Sequence, residues 1–160
     1  MCESVILPGS YDPVTVGHLE IIREAARLYK RVFVVAFINP EKKYLFTPAQ
    51  RLSMLRIATE GMENVTVDFY EGLVIDYARE KKINKILKGY RNDADLEYEM
   101  KMAEWNKKTG GIDTVFIKCR DDYAEVSSTA VREALSSGRI PSELLPSGVG
   151  EFISKSVTNT

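Results

Sequence analysis

The sequence predicts a doubly wound α/β domain, a five-stranded parallel sheet with helices on both faces, and three observations support that reading. Short β-rich runs recur between segments of helical period. The longest run, Val32 to Ile38, is apolar on both alternating faces, as a central parallel strand covered on both sides must be. The chain has 160 residues, 44% hydrophobic and 28% charged, which suits one globular domain with a real core.

In chain order, the predicted strands are Ser4 to Leu7, Val32 to Ile38, Val65 to Phe69, Lys85 to Leu87 and Thr114 to Ile117. Between the first two, Leu19, Ile22, Ala26 and Tyr29 mark one face of a helix, widened by Ala25 and Leu28. A second helix opens at Thr47-Pro48-Ala49-Gln50, where Thr47 caps, Pro48 suits the first helical position and Gln50 completes a capping box. Its core-facing residues are Leu52 and Leu55. Further helices run from Leu73 to Lys81, from Asp93 to Lys107 and from Ser128 to Ser136, the last stopped by Gly138. Lys108 to Gly111 reads as a turn, and Trp105, Met100, Met102 and Ala103 read as helix packing. From about residue 140 a looser helical region follows, with a short helix after Pro146 and a tail from Ser156 to Thr160 too polar to pack. The whole, residues 1–160, reads as a single Rossmann-like domain.

Charge and cysteines exclude several functions. Lysine plus arginine total 22 against 23 acids, a net charge of −1, so nothing draws the chain in bulk to nucleic acid or an anionic membrane. A polyanionic ligand therefore requires a locally basic pocket. Cys2 and Cys119 make neither a metal-ligand spacing nor a disulfide framework, and they read as inert thiols. With no apolar stretch near ~20 residues and no signal-like N-terminus, the reading is cytoplasmic.

Two segments carry the chemistry. Gly9-Ser10-Tyr11-Asp12-Pro13-Val14-Thr15-Val16-Gly17-His18 follows the first strand directly, and His18 is the only histidine in the chain. It falls in the first turn of a helix, where backbone N–H groups and the macrodipole favour anions. Gly9 lets backbone approach a ligand, and Gly17 leaves room where the helix begins. A lone histidine is otherwise an ordinary surface or core residue, so its surroundings decide. At the other end of the chain, Ser127, Ser128 and Thr129 place three hydroxyls at a helix start, more than one N-cap requires.

Pro8 to His18, with Thr15-Val16-Gly17-His18 at its end, resembles the signature of the nucleotidyltransferase superfamily, and Val126-Ser127-Ser128-Thr129-Ala130-Val131-Arg132 resembles that superfamily's second motif. The resemblance narrows along nearly the whole chain to the phosphopantetheine adenylyltransferases of coenzyme A synthesis. It covers Asn39 to Lys43, Phe46-Thr47 with Arg51, Lys88 to Arg91, Asp95 to Glu99, Met102-Ala103 with Asn106, and Thr114 to Phe116.

The resemblance implies that the 4′-phosphate of phosphopantetheine attacks the α-phosphorus of ATP, giving dephospho-coenzyme A and pyrophosphate without a covalent enzyme intermediate. It implies that His18 contacts the α-phosphate and stabilises the pentacoordinate transition state. Because the attacking phosphate is already ionised near neutral pH, His18 need not act as a general base, and donating a hydrogen bond to the developing charge is the sharper expectation. Ser10 and Lys42 would hold the attacking phosphate, and Lys88 the other phosphopantetheine-phosphate position. Val74 would line the pantetheine site, with Asn106 also on the substrate side. For ATP it implies Ser10, Tyr11 and His18, then Gly89, Tyr90 and Arg91, then Glu99 on the ribose side. Tyr123, Ala124, Glu125, Val126, Ser127, Ser128 and Thr129 would close over adenine and the terminal phosphates. Mg²⁺ would arrive with ATP, Asp12 assisting at most indirectly, with no metal site built by protein side chains. A homohexamer is implied as well.

The chain departs from that pattern at Lys88, where arginine is usual, so a point charge replaces a planar fork. Asp121 and Asp122 add acids near the expected triphosphate path, the loop before them is one residue short, and Thr129 stands where a third serine is frequent. Asp95 reads as part of a solvated acidic face, and Asp76 and Tyr77 as helix surface and packing. Two alternatives stay open: another small-molecule nucleotidyltransferase, of nicotinamide-mononucleotide or glycerol-phosphate type, and a non-catalytic adenine-nucleotide sensor.

Overall fold

A computed structural model describes residues 2–158. Five parallel strands, β1 (Cys2–Gly9), β2 (Tyr29–Ile38), β3 (Val65–Glu71), β4 (Lys85–Tyr90) and β5 (Asp113–Lys118), form one sheet in the order β3-β2-β1-β4-β5. The chain winds outward from β1 to β3, then crosses back to pair β4 with the free edge of β1, at Ile6 against Ile86. The sheet is thus doubly wound and Rossmann-like, and its switch point lies between β1 and β4.

Strand β2 shows why the sheet sits in the middle. Val32, Val34 and Ala36 are buried in one cluster with α1 (Val16–Leu28), α2 (Pro48–Ala58), α5 (Ser128–Ser136) and α6 (Val149–Thr158). Val35, on the opposite face, joins Ile6, Ile86 and the buried residues of α3 (Val74–Lys81) in a second cluster. Alternate side chains of one apolar run therefore feed two cores, which fixes β2 between two helical layers. Helix α4 (Asp93–Gly110) packs on the α3 side, where Gly110 lies so near Ile75 that an added Cβ would be 2.9 Å from its Cγ2.

Helix α2 starts at its predicted capping residue. Thr47 Oγ1 accepts from Gln50 N at 3.1 Å while Gln50 Oε1 accepts from Thr47 N at 2.9 Å, the reciprocal box expected there. Along α2 the fully buried residues are Arg51, Met54 and Leu55, whereas Leu52 is only half-buried.

Several expectations are corrected. The first helix ends at Leu28, which is exposed; Tyr29 is extended and opens β2 as a buried residue, and Ile21 takes the place given to Ala26. Lys108 to Gly110 continue α4, and only Gly111, with φ 67°, turns left-handed to cap it. Trp105, Met100 and Met102 are exposed, because α4 buries none of its residues fully against the rest of the chain. The tail is helical to Thr158, with Ser156 Oγ donating to Phe152 O at 2.9 Å, while Asn159 and Thr160 lie outside the described residues. Leu145, Val149 and Ile153 are buried in the first core cluster.

Candidate active site

A cleft of about 460 Å³ opens at the C-terminal ends of β1 and β4, where an open α/β sheet places its ligands. Leu7, Pro8 and Gly9 of β1 and Leu87, Lys88 and Gly89 of β4 form its floor. The N-terminal turn of α1, the start of α4 and the start of α5 wall it.

The first wall is tied down by hydrogen bonds. Thr15 is the N-cap of α1, and His18 stands at the third helical position, where a capping box normally has Glu or Gln. His18 N donates to Thr15 Oγ1 at 3.3 Å, and Thr15 N donates to His18 Nδ1 at 3.0 Å. Because Nδ1 accepts a backbone N–H, the neutral ring carries its proton on Nε2. Tyr11, buried and in the left-handed region at φ 48°, packs edge-on against the imidazole at 4.9 Å and donates to Leu7 O at 2.9 Å. Burial, and then the nearby Arg91 and Lys88 charges, push the imidazole down to about 4, so His18 is neutral at pH 7.

The loop between β1 and α1 is held from three directions. The buried Asp12 carboxylate accepts from Leu45 N at 2.8 Å and Phe46 N at 2.9 Å. Arg132 on α5 donates to Asp12 O at 2.8 Å, and Ser128 Oγ donates to Pro13 O at 2.7 Å. Two segments more than a hundred positions apart in sequence are thereby fastened together. The three hydroxyls divide the work: Ser127 caps α5 by accepting from Ala130 N, Ser128 holds Pro13, and Thr129 accepts from Arg132. Ser127 and Ser128 both line the cleft, so the helix start faces it.

The second wall is charged. Lys88 pairs with Glu99 at 3.3 Å, and Arg91 with Asp95 at 3.0 Å, all four side chains between about a quarter and two-fifths exposed. Asp95 also accepts from Arg91 N at 3.2 Å, so it is a partner of Arg91 and not part of a free acidic face. Gly89 has a packing reason as well: a Cβ there would sit 2.9 Å from Ile21 Cγ1. Tyr77 is buried, as packing requires, and Asp76 is half-exposed beside Arg79.

Of the residues named from sequence, Tyr11, His18, Lys88, Gly89, Arg91, Glu99, Tyr123, Val126, Ser127 and Ser128 line the cleft. Ser10 lies between two lining residues, and Lys42 Nζ donates to its Oγ at 3.2 Å, which brings Lys42 to the rim. Tyr90, Ala124, Glu125 and Thr129 neighbour the lining without belonging to it, while Val74 opens α3 in the other layer. Asn106 is two turns beyond Glu99 on α4, where its carbonyl accepts the capping N–H of Gly111. Sequence reasoning gave no role to Arg132 or to the Asp95 tether. Nor did it see that Thr15 and His18 form a capping box, although the three-residue spacing carries that signal.

The sequence pattern described as cytidylyltransferase-like matches residues 6–134, from β1 to α5. The chain is also 45% identical, over 142 residues, to the phosphopantetheine adenylyltransferase of Symbiobacterium thermophilum, a match covering 88% of each chain. The chain belongs to the phosphopantetheine adenylyltransferase family. Its fold is that of the wider nucleotidyltransferase group, and it is an enzyme of that class. Both fastened segments, around His18 and around Ser128, fall within the cytidylyltransferase-like match, so the family pattern spans the two halves of the first wall. Among the described residues no helix is long and apolar enough to cross a membrane.

Proposed function

We propose that this chain transfers AMP from ATP to 4′-phosphopantetheine, releasing pyrophosphate and forming dephospho-coenzyme A. The observation that carries the reading is the neutral His18, proton on Nε2, in a cleft shared with Lys88, Arg91 and the N-terminus of α5. An oxygen of the acceptor phosphate attacks the α-phosphorus, and the bond to the bridging oxygen of the β-phosphate breaks as pyrophosphate leaves. The acceptor is already ionised near pH 7, since a phosphate monoester has its second pKa near ~6, so no base is required. A ring held near 4 is a poor base but a ready donor. Its Nε2–H is the donor for charge developing on the α-phosphate oxygens, a contribution of the kind worth ~3 to 4 kcal/mol when it acts in the transition state.

The other roles follow from placement. Lys42 and Ser10 at one rim, and Lys88 on β4, receive the acceptor phosphate; Arg91, Gly89 and the start of α5 receive the nucleotide phosphates; Glu99 lies on the ribose side. Phosphates replace Glu99 as the partner of Lys88, which frees the carboxylate for ribose hydroxyls. Mg²⁺ enters as part of the ATP substrate, held by its phosphates. Asp12 accepts from Leu45 N and Phe46 N, and Asp95 pairs with Arg91, so both carboxylates are already engaged, which supports that reading.

The chain assembles with copies of itself, a hexamer being the family expectation, and works in the cytoplasm. Tyr98, Met102 and Trp105, spaced along one face of α4 and each exposed by 46% or more, support the assembly. Cys119, unpaired among the described residues and its thiol pushed up mainly by burial, suits a reducing compartment.

The test is pyrophosphate release from ATP or CTP with Mg²⁺ against 4′-phosphopantetheine, nicotinamide mononucleotide and glycerol phosphate. Release with ATP and 4′-phosphopantetheine alone is the expected result. Release with another pair reassigns the acceptor, and nucleotide binding without release in every arm would mark a sensor.

A further inference from the structure

Arg51 on α2 is completely buried, yet among the described residues no carboxylate forms an ion pair with it. Its Nη1 donates to Ser10 O at 3.0 Å, while Nε and Nη2 have no hydrogen-bond partner among the described residues. A buried guanidinium ordinarily needs an anion or a full set of acceptors. What it has instead is the ring of Tyr44, whose centroid lies 4.0 Å from Cζ, a close stacking distance for a planar cation on an aromatic face. The same ring lies 5.5 Å from Lys42 Nζ. Tyr44 is itself anchored, its hydroxyl accepting from Asn39 N at 2.9 Å and donating to Phe37 O at 3.4 Å.

Ser10 closes the circuit. Its carbonyl takes Arg51 and its hydroxyl takes Lys42, so the two cations meet at one residue and share one aromatic ring. Lys42 is exposed, and an exposed lysine normally samples many rotamers. Here a quadrupole beneath it and a hydroxyl beside it favour one position, at the loop that follows β1.

We infer that Tyr44 is a positioning residue for the acceptor phosphate: backed by the buried Arg51, its ring holds the Lys42 ammonium at Ser10 before substrate arrives. The inference rests on the reading of Ser10 and Lys42 as the receivers of that phosphate. The ring is the active feature and the hydroxyl only orients it.

The experiment compares Tyr44→Leu, Tyr44→Phe, Lys42→Ala and the Tyr44→Leu/Lys42→Ala double variant of the full-length enzyme. Steady-state kinetics are read for each substrate separately, and 4′-phosphopantetheine binding by calorimetry. Tyr44→Leu is expected to raise the acceptor KM about fivefold, the scale of one cation–π contact, and to leave the ATP KM within about twofold. Tyr44→Phe keeps the ring and should stay within about twofold for both substrates. In the Lys42→Ala background the leucine substitution should add nothing. Equal losses for both substrates, a phenylalanine variant as weak as the leucine one, or additive losses in the double variant would each overturn the inference. If Lys42→Ala alone leaves acceptor binding unchanged, the assignment of Lys42 fails, and the inference with it. Should Tyr44→Leu not fold, Tyr44→Trp, which keeps a strong π face, is expected to hold acceptor affinity within about twofold, and a loss beyond fivefold would contradict it.

Discussion

The two walls of the cleft are built on opposite plans. On the α1 and α5 side, Tyr11, Asp12, Thr15 and Val14 are almost fully buried, and each polar side chain among them has a hydrogen-bond partner. On the α4 side, no residue of the helix is fully buried, and order comes from two partly exposed ion pairs. A buried, hydrogen-bonded wall is costly to rearrange, whereas partly exposed ion pairs exchange partners at little cost. Under the proposed function, the difference gives a fixed geometry to the reacting centre and adaptable charges to the substrates that enter and leave it.

The largest expected effect strikes the fixed wall at its donor. His18→Ala should lower kcat by about a hundred- to a thousandfold, with the unfolding midpoint little changed. Turnover close to normal would remove His18 from the chemistry. Asp12→Ala should act through structure, since it leaves the buried Phe46 N and the neighbouring Leu45 N without their acceptor; a loss of ~1 to 3 kcal/mol in chemical denaturation is expected. An unchanged stability would mean that the loop does not depend on this anchor. The adaptable wall should tolerate more. Lys88→Arg is expected to leave acceptor affinity equal or improved, and a loss beyond tenfold would show that the pocket is shaped around an ammonium group.

What could be read from sequence divides along the same line. Strand β2 and the Thr47 box were legible because periodicity and capping are local properties, written in adjacent residues. The Ser128–Pro13 and Arg132–Asp12 bonds were not, since they join segments that become neighbours only when β1 and α5 meet at the sheet's end. The exposed Trp105 misled for a related reason: an apolar helix residue signals burial against something, but the signal does not say that the partner lies within the same chain. His18 was found by position and resemblance, while its protonation depended on burial and then on Arg91 and Lys88 converging on it, and its tautomer on Thr15 N.

The most direct test of the fixed, neutral donor is a ¹⁵N NMR titration of the imidazole, free of overlap because His18 is the chain's only histidine. Between pH 8 and pH 5 the free enzyme should show one neutral tautomer, with the proton on Nε2 and Nδ1 accepting, and protonation should begin only on approach to a midpoint of about 4. A midpoint near the ordinary histidine value of ~6.5, or a proton resident on Nδ1, would contradict it.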